Sequence, residues 1–225
     1  MDSGAPVITI DGPSGAGKGT VAQMAAARLG WHLLDSGSLY RLTALAAMRQ
    51  GIAFDDEAGL ARVALNLNVS FKPTNADEPA RVLLKGEDVT AELRTEGCGN
   101  NASRIAALQP VRDALLQRQR DFQQLPGLVA DGRDMGTVVF PNAGAKVFLT
   151  ASAEVRAERR YRQLKDAGVS VNIGDVLEEI RARDDRDMNR SAAPLKPAED
   201  AQVIDSSGLS IEEVLDRVMV AAGQA

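Results

Sequence analysis

The chain has 225 residues, of which 44% are hydrophobic and 25% charged, a balance that fits one α/β domain with an insertion or two small lobes. A net charge of -5 argues against a general nucleic-acid or anionic-membrane partner. The single cysteine, Cys98, excludes an intrachain disulfide and a thiolate metal site, no apolar run approaches the roughly 20 residues that span a bilayer, and Met1-Asp2-Ser3-Gly4 lacks the regions of a signal peptide, so a cytoplasmic protein is expected.

Val7-Ile8-Thr9-Ile10 is a short, β-branched apolar run and is expected to be a buried strand. It is followed by Gly12-Pro13-Ser14-Gly15-Ala16-Gly17-Lys18-Gly19-Thr20 and then by Val21 to Leu29, Ala-rich and helical in propensity. Strand, glycine loop and helix in this order make a phosphate-binding loop. The glycines let the backbone approach a phosphate chain, the N–H groups and helix N-terminus face the anion, and Lys18 adds a point charge. Gly19 stands where the usual pattern has Ser or Thr, with Thr20 one place later, which leaves open whether a loop hydroxyl ligates Mg²⁺ directly. The loop by itself implies a nucleoside triphosphate site and does not separate a kinase from a switch.

Trp31 to Asp35 is expected to be a second strand, and Ser36 or Ser38 to cap a helix running towards Gln50. Tyr40 and Arg41 fall in the first turn of that helix, at the strand-end edge where open α/β sheets bind ligands. His32 opens the second strand and is expected to be packed rather than catalytic. Between Ala53 and Ala107 the pattern changes to a helix over 55–67, short strands at Val69-Ser70-Phe71, Arg81 to Leu84 and Glu87-Asp88-Val89, turns at Pro73-Thr74-Asn75 and Lys85-Gly86, and a helix over 95–107. We therefore expect an inserted lobe over 60–107 carrying a small antiparallel sheet. Core segments are expected over 1–59, 108–151 and 188–225, with a lid over 152–187. Pro110 to Gln124 is a further helix.

Three more core strands are expected at Leu128 to Gly132, Lys146 to Thr150 and Ala201 to Ser206, and Ser210 with Glu213 forms a capping box for a last helix. The fold class is α/β: a five-stranded parallel sheet with helices on both faces, the inserted lobe and a short helical lid. Asp131 ends an apolar strand, where an acid can hold Mg²⁺ or its waters, and Arg133 and Asp134 follow at the same edge. Of the 26 basic residues 20 are arginines, whose planar fork suits phosphate. Arg156 and Arg160 share a helix face with Arg159 beside them. They read either as a lid that closes on the transferring group or as a solvated face paired with Glu154 and Glu158. Arg183, Asp187 and Arg190 fall on one face of a charged helix over 178–190.

These segments resemble the bacterial cytidylate kinases of the nucleoside monophosphate kinase superfamily. The resemblance runs from Pro6 through the Lys18-Gly19-Thr20 form of the loop, Asp35-Ser36-Gly37-x-x-Tyr40-Arg41, Asp131 to Pro141 and Arg183 to Asp187, as far as Val203 to Ser206. It implies transfer of the γ-phosphate of ATP to CMP or dCMP with Mg²⁺, and a monomer. Gly12 to Thr20 would bind the ATP phosphates, and Thr20 and Asp131 the metal, through water. Ser36 and Tyr40 lie in the acceptor-binding segment, while Ser14, Arg41 and Arg133 would hold the acceptor phosphate. Ser103, Arg112 and Asp134 would read the cytosine, Arg183 and Asp187 would hold the sugar, and Arg190, Arg156 and Arg160 would close on the phosphates. A phosphate acceptor already presents an ionised oxygen, so no general base is required. Two other readings stay open on residues alone: a P-loop kinase of a small hydroxyl acceptor such as shikimate, and a non-catalytic nucleotide switch. A GTPase would need an N-K-x-D run, which the sequence lacks.

Overall fold

The structure, a computed structural model, describes residues 4–72 and 81–223. The chain divides into two compact units, one comprising the residues through Asp35 together with those from Gln119 onward, the other Ser36–Arg118. The expected lobe over 60–107 lies inside the second of these, and the expected lid over 152–187 inside the first.

The first unit is built on strands β1 (Val7–Asp11), β2 (His32–Asp35), β6 (Leu128–Gly132), β7 (Ala145–Thr150) and β8 (Gln202–Asp205). They form one parallel sheet in the order β2-β6-β1-β7-β8. Register pairs include Val7 with Leu128, Ile8 with Ala145, Leu33 with Val129 and Val147 with Gln202. All of β1 is buried, as expected for a central parallel strand covered on both faces. Helix α1 (Lys18–Leu29) and helix α9 (Ile211–Ala221) pack Val21, Ala25, Leu215 and Val218 against Ile8, Val147 and Leu149 of the sheet. Helix α9 begins where the capping box predicts: Ser210 Oγ accepts from the Glu213 N–H, and the Glu213 carboxylate accepts from the Ser210 N–H.

Helices α7 (Ala153–Asp166) and α8 (Ile173–Asn189) complete this unit. Helix α8 starts five residues before the charged run that announces it, because Asn172 caps it through the Gly174 N–H and because Val176 and Ile180 pack on Ala157 of α7. The charges conceal that apolar stripe in the sequence. After β6 the backbone makes a single wide π turn over Met135–Val139, which was not expected. His32, expected to be packed, is exposed at the start of the edge strand β2, with Nε2 3.0 Å from the Leu125 carbonyl.

The second unit holds α2 (Ser36–Arg49), α3 (Glu57–Leu65), β3 (Val69–Lys72), β4 (Arg81–Leu84), β5 (Glu87–Asp88), α4 (Thr90–Leu93), α5 (Glu96–Ile105) and most of α6 (Gln109–Arg120). The three strands form an antiparallel sheet, Val69 opposite Leu84 and Leu83 opposite Asp88. The β4–β5 turn has positive φ at both Lys85 (51°) and Gly86 (88°), the primed geometry that suits strand twist. The expected turn at Pro73-Thr74-Asn75 lies outside the described residues. Helix α2 opens at Ser36, so Ser38 lies inside it rather than capping it. Asp56 caps α3 and Thr95 caps α5 through the Gly59 and Cys98 N–H groups. The four residues of α4 are too few for any periodicity to announce them.

Candidate active site

The glycine loop leaves the carboxyl end of the central strand β1, with β6 and β7 on either side. Gly12 has φ 145°, and a Cβ there would stand 1.9 Å from the Leu149 carbonyl oxygen of β7. Only a glycine lets the chain turn this close to the neighbouring strand. Gly15 and Gly17 also have positive φ, and Gly17 is the N-cap of α1. Lys18, the first residue of α1, is buried and donates from Nζ to the Pro13 carbonyl at 2.9 Å, folding its side chain back over the loop.

Across the loop stands Asp131 of β6, with Oδ1 3.9 Å from Lys18 Nζ. Burial pushes the Lys18 ammonium below its ordinary range and the neighbouring Arg133 pushes it further, while Asp131 only partly opposes them. Burial likewise raises the Asp131 carboxyl, against the pull of Lys18. At this separation the two charges attract but do not make a hydrogen bond, so burial outweighs the pairing for both. Two neighbouring cations, Lys18 and Arg133, at the glycine loop that opens α1 make a place that an anion would relieve.

Arg133, which follows β6, is anchored to α8. Its Nε donates to Asp187 Oδ2 of α8 at 3.0 Å, and Asp187 is itself buried. Burial alone would lower the guanidinium pKa, but Asp187 and Asp131 outweigh it and raise it. Asp134, also buried, precedes the π turn. That turn is held by a residue the sequence reading passed over. Asp11, at the end of β1, accepts from the Met135 and Gly136 N–H groups, both at 2.8 Å. Its burial raises its pKa to about 7 despite those two bonds. An acid closing an apolar strand is the same signal that singled out Asp131, and it could have found Asp11.

A group whose folded pKa is raised holds more protons folded than unfolded, so stability falls as pH rises through the interval between the two values. For Asp11 that interval runs from the ordinary 3.8 to about 7. The thermal midpoint of the wild type should therefore rise on acidification from pH 7 towards 5 relative to that of Asp11→Asn. Parallel midpoint–pH curves for the two proteins would refute this.

The arginines of α7 do not stand on a solvated face alone. Arg156 is buried: Nε donates to the Ala151 carbonyl at 2.9 Å, Nη1 to the Ser14 carbonyl at 3.0 Å, and both terminal nitrogens to the carboxylate of Asp184. This places Arg156 against the glycine loop, in a bidentate ion pair with Asp184. Arg159 reaches Ser206, donating to Oγ at 3.1 Å and to the carbonyl at 2.6 Å, and Ser206 Oγ donates to the Ala16 carbonyl at 3.1 Å. Arg160 is half-buried, with Nη1 3.4 Å from Gln163 Oε1. Arg183 is half-buried on α8. Arg190 does not continue the helix face of Arg183 and Asp187: as the C-cap it turns extended (φ −63°, ψ 142°), and its buried side chain donates to the Ala193 carbonyl at 2.8 Å.

In the second unit Ser36 and Tyr40 are buried in the first turn of α2. Arg41 donates from Nη1 to the carbonyls of Leu93 and Thr95. Arg112 of α6 is buried, bonded to the Ala106 carbonyl at 3.2 Å, with its guanidinium carbon 6.0 Å from the Tyr40 ring centre. Ser103 is buried on α5.

A family model described as cytidylate kinase matches residues 8–224. A cytidylate kinase of Aeromonas hydrophila is 60% identical over 224 residues, covering 100% of this chain and 96% of that protein. One of Shewanella sediminis is 59% identical over 216 residues, covering 96% and 94%. The chain belongs to the cytidylate kinase family. Among solved structures, an uncharacterized protein of Eubacterium ventriosum is similar in fold alone, with 12% identity, a TM-score of 0.50 and coverage of 98% of this chain and 99% of that one.

Within this member of the family, the first unit brings together Lys18, Asp131, Arg133 and Asp187, and the second brings Tyr40 together with Arg112. Asp11, Asp184 and Ser206 are the residues to which the sequence assigned no role, and Arg159 was placed only beside Arg156 and Arg160. Asp184 sits in a run of alternating charges, where nothing in the spacing marks one acid as buried. Ser206 follows β8 as one of two adjacent serines, and nothing local says which one turns inward.

Proposed function

We infer that the protein transfers the γ-phosphoryl group of ATP to CMP, giving ADP and CDP, and that dCMP is a second acceptor. The observation that carries this reading is the glycine loop with Lys18 and Arg133 at its mouth, in a chain 60% identical to a cytidylate kinase over its whole length. A hydroxyl-acceptor kinase or a nucleotide switch is not favoured by that likeness.

Gly12 to Thr20 hold the donor phosphates. Ser14, Arg41 and Arg133 hold the acceptor phosphate, Ser36 and Tyr40 shape its segment, and Ser103, Arg112 and Asp134 read the cytosine, Asp134 accepting from the exocyclic amine. Arg183 and Asp187 hold the sugar. Arg190 and Arg160 contribute positive charge to the phosphates, and Arg156 does so through the loop it braces. Both substrates are anions, so bringing them in line is the main difficulty, and positioned cations lower that cost. The acceptor oxygen is already ionised, so no general base takes part.

The residues fit Mg²⁺. The Asp131 carboxylate lies against the first turn of α1, its Oδ2 3.4 Å from where a Cβ on Gly19 would stand, and the Thr20 hydroxyl is exposed on the next residue. One carboxylate and one hydroxyl, with waters and phosphate oxygens, match the sparse protein ligation this ion keeps. Bound there, it would neutralise charge developing on the β- and γ-phosphates. We further propose a cytoplasmic monomer without nucleic-acid or membrane partners. Among the described residues no helix is long and apolar enough to cross a membrane.

The test is a coupled assay of ADP formation with ATP, Mg²⁺ and each of CMP, dCMP, UMP, AMP, GMP and shikimate. Strong turnover with CMP and dCMP and little with the others is expected. Turnover only with shikimate, or with no acceptor, would overturn the reading.

A further inference from the structure

The glycine loop binds phosphate through its N–H groups, and a peptide plane fixes where each of those points. The carbonyl of one residue and the N–H of the next share a plane and face opposite ways. Whatever holds a loop carbonyl outward therefore aims the following N–H inward. Two loop carbonyls are held by side chains from elsewhere in the chain. The Ser14 carbonyl accepts from Arg156 Nη1 at 3.0 Å, and the Ala16 carbonyl accepts from Ser206 Oγ at 3.1 Å.

Each donor is itself fixed. Arg156 is 4% exposed, tied by Nε to the Ala151 carbonyl, and its fork is closed on Asp184 of α8. Its Cβ lies 3.3 Å from where a Cβ on Gly15 would stand, so it packs directly on the loop. Ser206 is 2% exposed, accepts from Arg159 Nη1, and its own N–H donates to the Thr150 carbonyl at 2.8 Å. A planar guanidinium bound on both sides has little freedom left to lose, so it holds the loop without a further ordering cost.

We propose that Arg156 and Ser206 are positioning residues of the phosphate loop: by holding the Ser14 and Ala16 carbonyls they aim the Gly15 and Gly17 N–H groups at the donor phosphates. Arg156 thus acts through the loop backbone, and Asp184 and Arg159 act through Arg156 and Ser206. The inference rests on the reading of this loop as the ATP phosphate site.

The experiment measures ATP binding by titration calorimetry with no acceptor present, alongside the thermal midpoint and the KM for CMP. The proteins are the wild type, Ser206→Ala, Ser206→Thr, and the double variant Arg156→Gln/Asp184→Asn, which leaves no buried lone charge. We expect ATP affinity to fall about fivefold to tenfold in Ser206→Ala and further in the double variant, from lost donors to buried carbonyls. Ser206→Thr should keep the wild-type affinity, and the KM for CMP should stay within about twofold. Wild-type ATP affinity in Ser206→Ala would overturn the positioning role. So would equal losses for ATP and CMP that follow the thermal midpoint, the mark of a merely structural contact. If the double variant does not fold, the Ser206 pair decides alone. Failure of the wild type to bind ATP would instead overturn the functional reading on which this one rests.

Discussion

Arg133→Ala should lower kcat/KM for CMP by about three orders of magnitude, the range in which a positioned arginine acts in phosphoryl transfer. The structure gives two reasons to expect an effect of that size. Arg133 lies close enough to Lys18 to depress its pKa, so its charge is felt where the donor phosphates would lie. It is also held in place by Asp187 at 3.0 Å, so its orientation costs nothing at the moment of reaction. The same contact creates a confounding effect, because the variant strips a buried carboxylate of a cation. Breaking a buried pair this way costs about 3 kcal/mol. The thermal midpoint should therefore fall in Arg133→Ala and recover in Arg133→Ala/Asp187→Asn, while activity stays low in both. Activity that recovers with the midpoint, or a single variant with near-wild-type kcat/KM, would remove Arg133 from the chemistry.

Gly12→Ala should be severely damaging to both folding and ATP binding. Two effects combine at this position. The backbone sits at φ 145°, where an L side chain is strained, and the new Cβ would stand 1.9 Å from the Leu149 carbonyl oxygen. Leu149 is fully buried in β7, which is paired on both sides, so its carbonyl has little room to retreat. Overpacking a rigid site costs about 3 kcal/mol before the backbone strain is counted. A denaturant titration should show that loss, and calorimetry should show no ATP binding in whatever fraction folds. Wild-type stability with ATP affinity retained would mean that the loop can take another path between β1 and α1.

Much of the fold was legible because its causes are local. The run from Val7 to Ile10, the glycines after it and the Ala-rich segment to Leu29 each declare their conformation within a few residues. The capping box at Ser210 and Glu213 closes over a single turn. The segment from Leu128 to Ala130 is a continuous apolar run, as a strand covered on both faces needs, and the segments at Lys146 and Ala201 each hold a short apolar core between polar residues. That much of the architecture follows from short-range pattern, and so do the phosphate loop and the acid–arginine edge at Asp131 and Arg133.

What the tertiary structure alone decided is which charged groups meet. Asp11 and the π turn it holds are 124 residues apart, and Arg156 and Asp184 are 28 apart. Nothing in the spacing of Arg156, Arg159 and Arg160 tells which of them turns inward, since all three lie near one face of α7. The answer is set by where α8 and the end of β8 pass, and so by how Ala157 packs on Val176 and Ile180. Arg190 left its expected helix face because α8 ends at Asn189 and the chain turns extended at the next residue. Local pattern sets the conformation of a segment, but the partner of a buried charge depends on the packing of distant segments, because burial, not sequence neighbourhood, makes an unpaired charge costly.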